Sequence, residues 1–375
     1  MTVLMLTDSL DVHCDAVRWA LANNGAECLL WCLDLFPGNQ TLSLRLRPDV
    51  RHPIEIALDE RSLMTEFSSI WLRRLPEPQS VSEMLNPADV SMALSEADKL
   101  ASGVRPLIGK NSVWINPIES RRRSALKPVQ LVAARAVGWR IPDTLLSNDP
   151  DEIRAFYREH RGNILYKTFN QAYWRNSSTG TVSAFYASKV PEHLVHNDVA
   201  LSCCPGIYQQ YVNKHSELRA TFFGRAYVAA RIYSQQIPTA VTDWRSDLKH
   251  EAVMERAYLP SHVYEKCLAF MQEMNIMHGS FDLIQTPDGE YVFLEMNEMG
   301  QFLWLEERLP EIPALNMFAS FALNPSNTFE YREHERLPAT SFKDYLATPD
   351  CHSFRQRLSE AGERGANHYK VNYVE

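Results

Sequence analysis

The stretch that decides the fold is HGSFDLIQTPDGEYVFLEMNEMGQ, which spans residues 278–301. Two apolar-rich runs flank a Pro-Asp-Gly turn at 287–289, a pattern typical of two strands joined by a short turn. A four-residue loop over 287–290 would pair Thr286 with Tyr291. Because most of the surrounding residues are large and apolar, we expect this hairpin to be buried on at least one face.

Acidic residues meet across the expected hairpin. Counting outward from the turn places Asp282 directly opposite Glu295, and Asn297 lies on the same face because it follows Glu295 by two. Cβ atoms of such a cross-strand pair lie roughly 4.5–5.5 Å apart, so two carboxylates repel each other there. The hairpin contains no lysine or arginine that would neutralise them locally. The pattern therefore favours a Mg²⁺ site, which uses oxygen ligands, over an exposed hairpin with solvated acids.

Size and composition restrict the class of protein. The chain has 375 residues, enough for two or three domains, and its 38 Lys+Arg against 46 Asp+Glu give a net charge of −8. This charge argues against a general nucleic-acid or membrane surface, and no apolar run approaches the roughly 18 residues that span a bilayer. Seven cysteines without a CxxC pair are typical of reduced thiols in a cytoplasmic protein, rather than of zinc or a disulfide framework.

The two ends of the chain differ in character. Residues 2–6 and 27–33 read as strands around a helix at 13–24, which predicts an N-terminal βαβ unit. No GxGxxG follows the first strand, so a dinucleotide-binding domain is disfavoured. Beyond 324 the chain is polar and has few core-sized apolar clusters, which leaves a docked tail, a partner-binding segment or a partly disordered end.

Several cations are candidates for binding an anion. Lys127 opens a helix and Lys167 lies inside an otherwise apolar strand, where a lysine must pair or emerge into a cleft. We expect Lys167 to contact phosphate, whereas Lys127 alone would read as a surface lysine. Arg219 and Arg231 are expected to lie near each other across a hairpin turn, where they would hold an anionic ligand or form a salt-bridged sheet face with Glu217.

In order along the chain, these pieces resemble the ATP-grasp enzymes, and within that superfamily they are most similar to the microviridin-type ligases, the graspetide synthetases. The similarity is carried by WINP at 114–117 and ALKPVQLVAARAVGWRIPDTLLSNDP at 125–150, QQYVNKHSELRATFFG at 209–224, AARIYSQ at 229–235, TDWR at 242–245 and SFDLIQTPDGEYVFLEMNEMGQFLWLE at 280–306. It covers roughly 110–320 closely. The combined order of these segments is specific, whereas each one alone is not.

The resemblance implies an α/β protein with an ATP-grasp fold and ATP bound between two lobes. We expect an N-terminal pre-ATP-grasp α/β domain at 1–115, a central ATP-grasp lobe at 116–205, a C-terminal lobe with the metal site at 206–323, and a C-terminal extension at 324–375.

It also implies a role for each candidate residue. The expected sets are Lys127, Lys167 and Glu217 for ATP, the connector Gln209, Gln210, Tyr211 and Val212 for adenine, Asp282, Glu295 and Asn297 for Mg²⁺, and Arg219 and Arg231 for the γ-phosphate or acyl-phosphate. Gln210 stands where the family usually has glutamate, and Glu298 stands where proline is common.

The implied reaction is ATP-dependent macrocyclisation of a ribosomal precursor peptide, with its leader and core. A side-chain carboxylate of the peptide would be activated as an acyl-phosphate and attacked by a hydroxyl or amine of the same peptide. Two alternatives stay open: a ligase that joins an amino acid or small acid to a peptide or amine, and a non-catalytic nucleotide-binding partner subunit. We expect no nucleic-acid or membrane partner, and a homodimer is left open.

Overall fold

The structure of the chain is a computed structural model that describes residues 1–75, 85–169, 173–175, 182–184, 186–247, 249, 251–332, 337–338 and 340–363. The strands are β1 (Thr2–Thr7), β2 (Glu27–Cys32), β3 (Leu42–Arg45), β4 (Glu55–Leu58), β5 (Arg61–Ser62), β6 (Ser69–Leu72), β7 (Val113–Ile115), β8 (Thr144–Ser147), β9 (Ile164–Lys167), β10 (Tyr173–Arg175), β11 (Val182–Ala184), β12 (Ser188–Lys189), β13 (Gly206–Gln210), β14 (Ser216–Phe223), β15 (Ala226–Ile232), β16 (Met254–Arg256), β17 (His278–Gln285) and β18 (Tyr291–Asn297). The helices are α1 (Val12–Ala22), α2 (Pro87–Val104), α3 (Ile118–Ser124), α4 (Lys127–Ala136), α5 (Pro150–Glu159), α6 (Asp198–Cys203), α7 (Ser261–Met274), α8 (Leu303–Arg308), α9 (Ala314–Leu323), α10 (Phe342–Leu346) and α11 (Pro349–Glu363).

The N-terminal part is a parallel α/β sheet. Its strand order is β2-β1-β6-β7, and all three strand pairs are parallel. Residues 3–6 of β1 are fully buried, as expected for a strand covered on both faces. The predicted βαβ unit is therefore confirmed, and an antiparallel sheet β3-β4-β5 is added after it.

The middle of the chain forms a second, antiparallel sheet of order β12-β9-β13-β8. Strand β13 pairs with β8 on one side and with β9 on the other. The strand that begins at Gly206 thus belongs to the central sheet, and the predicted lobe boundary at 205/206 falls one strand too early. The physical reason is that β13 needs its two partners from the preceding segment to satisfy its backbone hydrogen bonds.

A five-stranded antiparallel sheet, of order β16-β15-β14-β17-β18, forms the base of the C-terminal lobe. One face packs on α4 and α7, with Leu131, Phe270 and Phe281 in one apolar cluster. The other face is covered at one end by α9 and the N-terminal sheet, where Phe223 and Phe318 share a cluster. At its other end this second face is open, and its polar residues reach a cleft. The predicted α/β class is confirmed.

The C-terminal extension is docked where the structure describes it. Helices α10 and α11 contact α1, and the fully buried Tyr345 donates its hydroxyl to the Asp15 carboxylate at 2.8 Å. Phe342 and Phe354 are also buried. The docked-tail alternative therefore holds for 340–363, while 364–375 lie outside the described residues.

We expect Tyr345→Ala to lower the free energy of unfolding by about 3–5 kcal/mol, because it leaves a cavity and removes one of the partners of the buried Asp15 carboxylate. Chemical denaturation followed by tryptophan fluorescence measures this change. Lys343→Ala, on the exposed side of the same helix, is the control and should shift stability by less than about 0.5 kcal/mol. Equal stability of both variants would contradict the docking.

Two further observations bear on the class of protein. Within the described part of the chain, every helix is too short or too polar to cross a membrane. All seven cysteines are free thiols in the structure.

Candidate active site

A cleft of about 280 Å³ lies between the central sheet and the five-stranded sheet. It receives residues from both sheets, from helix α4, and from the connector 209–212, which begins with the last two residues of β13. Its lining residues include Lys127, Lys167, Gln209, Gln210, Tyr211, Val212, Lys214, Glu217, Asp243, Arg245, Asp282, Leu294, Glu295 and Asn297.

The hairpin β17–β18 places Asp282 opposite Glu295, as the sequence predicts, but with a different turn and a change of register between the turn and this pair. At the turn, Gln285 rather than Thr286 pairs with Tyr291, so the assumed four-residue loop is wrong. An irregularity between the pairs Asp282–Glu295 and Leu283–Phe293 then restores the expected register. Leu294 is the extra residue of this β-bulge.

The bulge has a direct consequence for the site. Alternation along β18 is interrupted, so the consecutive residues Leu294 and Glu295 both line the cleft, while Phe293 and Met296 pack in the apolar core. Asn297 lines the cleft on the same side as Glu295. A bulge that re-aims a side chain is common beside active sites.

The acidic residues have cationic partners that the sequence argument did not foresee. Arg219 on β14 donates to both carboxylate oxygens of Asp282, at 2.9 and 2.8 Å. Lys127 Nζ lies 3.2 Å from Glu295 Oε2. The hairpin itself contains no lysine or arginine, and the cations come instead from a neighbouring strand and a distant helix.

The site nevertheless fits a magnesium ion. Two carboxylates and the amide oxygen of Asn297 face one space, and that oxygen is oriented by the Met299 N–H at 3.0 Å. Burial alone would raise the pKa of Glu295, but the charges of Lys127, Arg245 and Lys167 outweigh it and hold that pKa at about 2. Glu295 is thus ionised near neutral pH and could serve as the hard oxygen donor that Mg²⁺ requires.

The two predicted lysines both reach the cleft. Lys127, the first residue of α4, also donates to the carbonyl oxygen of Thr168 at 3.2 Å, which ties the helix to the central sheet. Lys167 is the last residue of β9 rather than a residue inside it. Burial and the nearby charge of Lys127 lower the pKa of Lys167, whereas Glu295 opposes that shift. Both amines are placed to meet an anion.

All four connector residues, Gln209 to Val212, line the cleft. The Gln209 side chain turns back to donate to Thr144 Oγ1 at 3.0 Å, and the N–H of Gln210 donates to the Asp143 carbonyl at 2.9 Å. Among the residues that the structure describes, none accepts a hydrogen bond from the Val212 N–H. A backbone donor left at the cleft wall is suited to an adenine ring nitrogen.

The predicted arginine pair is wrong. The turn between β14 and β15 has two residues, so Arg219 lies opposite Ala230, and Arg231 lies opposite Leu218 on the other face of the sheet. Arg231 is 3.7 Å from Glu255 there. Arg219 alone of the pair reaches the acidic site, because a one-residue difference in register reverses the face of a strand residue.

Glu217 lines the cleft in a buried ion pair. Lys214 Nζ lies 2.6 Å from its carboxylate, and Ser234 Oγ donates to the same oxygen at 2.8 Å. Burial raises the pKa of Glu217, and Lys214 opposes this effect. Lys214 also donates to the Thr242 carbonyl, so it joins the connector to the TDWR segment.

Sequence reasoning assigned no role to Asp243 and Arg245, although their segment was part of the resemblance. Asp243 holds Arg245 through Nε and Nη2 at 2.9 and 2.7 Å, and accepts from the Ala187 N–H at 3.3 Å. Arg245 Nη1 then lies 3.8 Å from Glu295. The pair bridges the two lobes and adds a fixed guanidinium to the acidic site.

Comparisons with known proteins agree with this geometry. The family model described as the MvdD pre-ATP grasp domain matches residues 2–122. No curated protein gives a significant match.

Three solved structures are similar over most of the chain, each covering 86% of it. One is a Chryseobacterium gregarium RiPP-associated ATP-grasp ligase in complex with ADP and a leader and core peptide, with 26% identity, a TM-score of 0.76 and 95% of that chain covered. The others are from Microcystis aeruginosa MRC: macrocyclase MdnC bound with precursor peptide MdnA (27%, 0.73, 100% covered) and macrocyclase MdnB (26%, 0.69, 98% covered). The resemblance seen in the sequence is confirmed: the chain has an ATP-grasp fold behind a pre-ATP-grasp domain of the MvdD type, and it is similar to RiPP-associated ATP-grasp ligases.

Proposed function

We propose that this chain is an ADP-forming ATP-grasp ligase that macrocyclises a ribosomal precursor peptide through an ester or amide bond. The observation that carries the proposal is the Asp282–Glu295–Asn297 set at the floor of a cleft whose walls hold Lys127, Lys167 and the connector. MdnC and the Chryseobacterium ligase, which share this fold, were each solved with their peptide.

The reaction has two balanced steps. A substrate carboxylate attacks the γ-phosphorus of ATP, the bond to the bridging oxygen breaks, and ADP leaves. A hydroxyl or amine of the same peptide then attacks the acyl carbon, phosphate departs, and the nucleophile loses its proton. The peptide loses one water per ring. This chemistry needs positioning and charge neutralisation more than a protein nucleophile.

The residues of the cleft can supply both needs. When bound, magnesium offsets charge on the phosphate oxygens and orients them. Lys127 and Lys167 bind phosphate from the side of the central lobe, and the Val212 N–H faces the adenine. Arg245, fixed by Asp243 and 44% exposed at its side chain, is placed to meet the acyl-phosphate. Arg219 holds Asp282 in position, whereas Arg231 lies on the other face of the sheet and has no role at the γ-phosphate.

Two alternative functions would require different substrates or different residues in the cleft. A ligase for a free amino acid would use the same cations and carboxylates, so only the substrate separates it. A non-catalytic nucleotide-binding subunit would not need the full set of Asp282, Glu295, Asn297 and both lysines, and their presence together in one cleft favours an enzyme. We place the reaction in the cytosol, where ATP, ribosomal peptides and reduced thiols such as these seven occur together.

The test uses the full chain and the peptide encoded by the nearest short reading frame that is rich in Thr, Ser or Lys and in Asp or Glu. We expect peptide-dependent ADP release and a peptide product lighter by one water mass per ring. The control is the same peptide with every core Asp and Glu replaced by Asn and Gln, which should give neither. ADP release with free amino acids alone would favour the ligase that joins a free amino acid. No ADP release with any substrate would favour the non-catalytic nucleotide-binding subunit.

A further inference from the structure

Gln130 on helix α4 makes three hydrogen bonds with main-chain atoms near the acidic site, and its side chain is buried. Its Oε1 accepts from the Met296 N–H at 2.8 Å, and its Nε2 donates to the Met296 carbonyl at 2.8 Å. The same Nε2 donates to the Ser124 carbonyl at 2.6 Å. The amide thus uses both of its donor hydrogens and one acceptor site.

The position of Met296 makes this contact significant. It lies between Glu295 and Asn297, two of the three residues that we assign to the metal. Strand β18 is the edge of its sheet, and Arg140 bridges that edge at Val292, where it accepts from the Phe293 N–H. Within the described part of the chain, no strand pairs with the outer backbone groups of Met296. The amide of Gln130 takes the place of that strand, because it exchanges an N–H and a C=O with Met296 as a paired residue would.

The third hydrogen bond of Gln130, to Ser124, connects Met296 to the segment that leads into Lys127. Ser124 ends helix α3, and Lys127 begins α4 only three residues later. Through its bonds to Ser124 and Met296, Gln130 fixes the start of α4 against β18. Lys127 then reaches Glu295 at 3.2 Å. One side chain therefore sets the spacing between a phosphate-binding lysine and two metal ligands.

We propose that Gln130 is a positioning residue for the magnesium site: its amide holds the backbone between Glu295 and Asn297 so that both oxygens face one ion. This inference rests on the proposed function of the cleft. Gln130 lines the cleft, but its amide is bonded to Met296 and Ser124, so we expect it to act on the metal only through Met296 and α4. Groups that orient metal ligands typically contribute about 10- to 100-fold to metal affinity.

The main test variant is Gln130→Met, which keeps the length of the side chain and removes all three hydrogen bonds. Isothermal titration measures ADP affinity with and without Mg²⁺. We expect the Mg²⁺-dependent gain in ADP affinity to fall about 10-fold or more. The metal-free affinity should stay within about 2-fold, because the adenine and phosphate donors remain. A general loss of structure would lower both affinities together.

Asn316→Leu is the matched control. Asn316 is also a buried amide that bonds to main-chain and side-chain partners, including the Leu337 carbonyl, but it lies on α9 away from the cleft. The Asn316→Leu variant should lose about as much stability as Gln130→Met does. It should keep the Mg²⁺-dependent gain in ADP affinity. If Asn316→Leu loses that gain as well, the effect is one of stability and the proposal is overturned.

Gln130→Glu serves if the methionine variant does not fold. It retains the acceptor for the Met296 N–H but loses both donors, and it brings a negative charge toward the metal. If Gln130 positions the metal ligands, the Mg²⁺-dependent gain in ADP affinity should fall in this variant. If the gain rises instead, the added charge acts directly on the metal and the proposal is overturned.

Glu295→Gln separates this inference from the function on which it depends. If Glu295→Gln loses the Mg²⁺-dependent gain while Gln130→Met keeps it, only the role of Gln130 is overturned. If Glu295→Gln keeps the gain, the metal site itself is wrong and both proposals are overturned.

Discussion

Replacing Glu295 with glutamine is expected to lower kcat/KM for peptide-dependent ADP formation by about 10³-fold. The change keeps the shape of the side chain but removes the charge that faces both Lys127 and the magnesium ion. Binding of metal-free ADP should be retained, because Lys127 and Arg245 then lose an acidic partner and remain available to phosphate. The measurement is a coupled ADP assay with titration of ADP in the presence of a chelator.

Glu290→Gln is the control for this variant, since Glu290 belongs to the same hairpin but is exposed and pairs with Arg140. It should leave kcat/KM within about 2-fold, as expected for a surface ion pair. Equal losses in both variants would mean that the hairpin is structural rather than catalytic.

Lys167→Met is expected to raise the dissociation constant for Mg·ATP by about 10- to 100-fold. A charge-assisted hydrogen bond contributes about 1.5–3 kcal/mol, and each 1.4 kcal/mol corresponds to about tenfold in affinity. Lys167 is half-buried and faces Glu295, so the substitution removes a desolvation cost together with a charge partner, and we expect the stability of the free protein to change little. Equilibrium binding and thermal denaturation of the same samples measure the two effects.

Lys110→Met removes an exposed lysine near the end of the N-terminal domain and is the control for charge alone. Its affinity for Mg·ATP should match that of the unchanged protein. If Lys167→Met binds Mg·ATP as tightly as this control does, Lys167 makes no phosphate contact and the assignment fails.

The sequence was sufficient to predict the parts of the site that depend on local pattern. The pairing of Asp282 with Glu295 was correct, although the loop that led to it was not. Two differences cancelled: the turn shifted the register by one residue, and the bulge at Leu294 shifted it back. Local alternation and turn chemistry carry no clear signal for a bulge, because Leu294 is as apolar as Val292 and Phe293 before it.

Other parts of the site depend on contacts between distant segments and could not be predicted. The neutralising partners of Asp282 and Glu295 lie on β14 and α4, and neither pairing leaves a trace in the spacing of residues. The position of Arg231 depended on the length of one turn, which places it on the other face. Arg245 was within a recognised motif, but only the fold brings it 3.8 Å from Glu295.

The central claim is that Asp282, Glu295 and Asn297 together bind the ion that accompanies the nucleotide. The most direct measurement is anomalous diffraction from a crystal grown with Mn²⁺ and a non-hydrolysable ATP analogue, since Mn²⁺ accepts the same oxygen ligands. We expect a single strong peak between these three side chains and the phosphates. A peak elsewhere in the cleft, with Lys127 still bound to Glu295 and Arg219 still bound to Asp282, would contradict it.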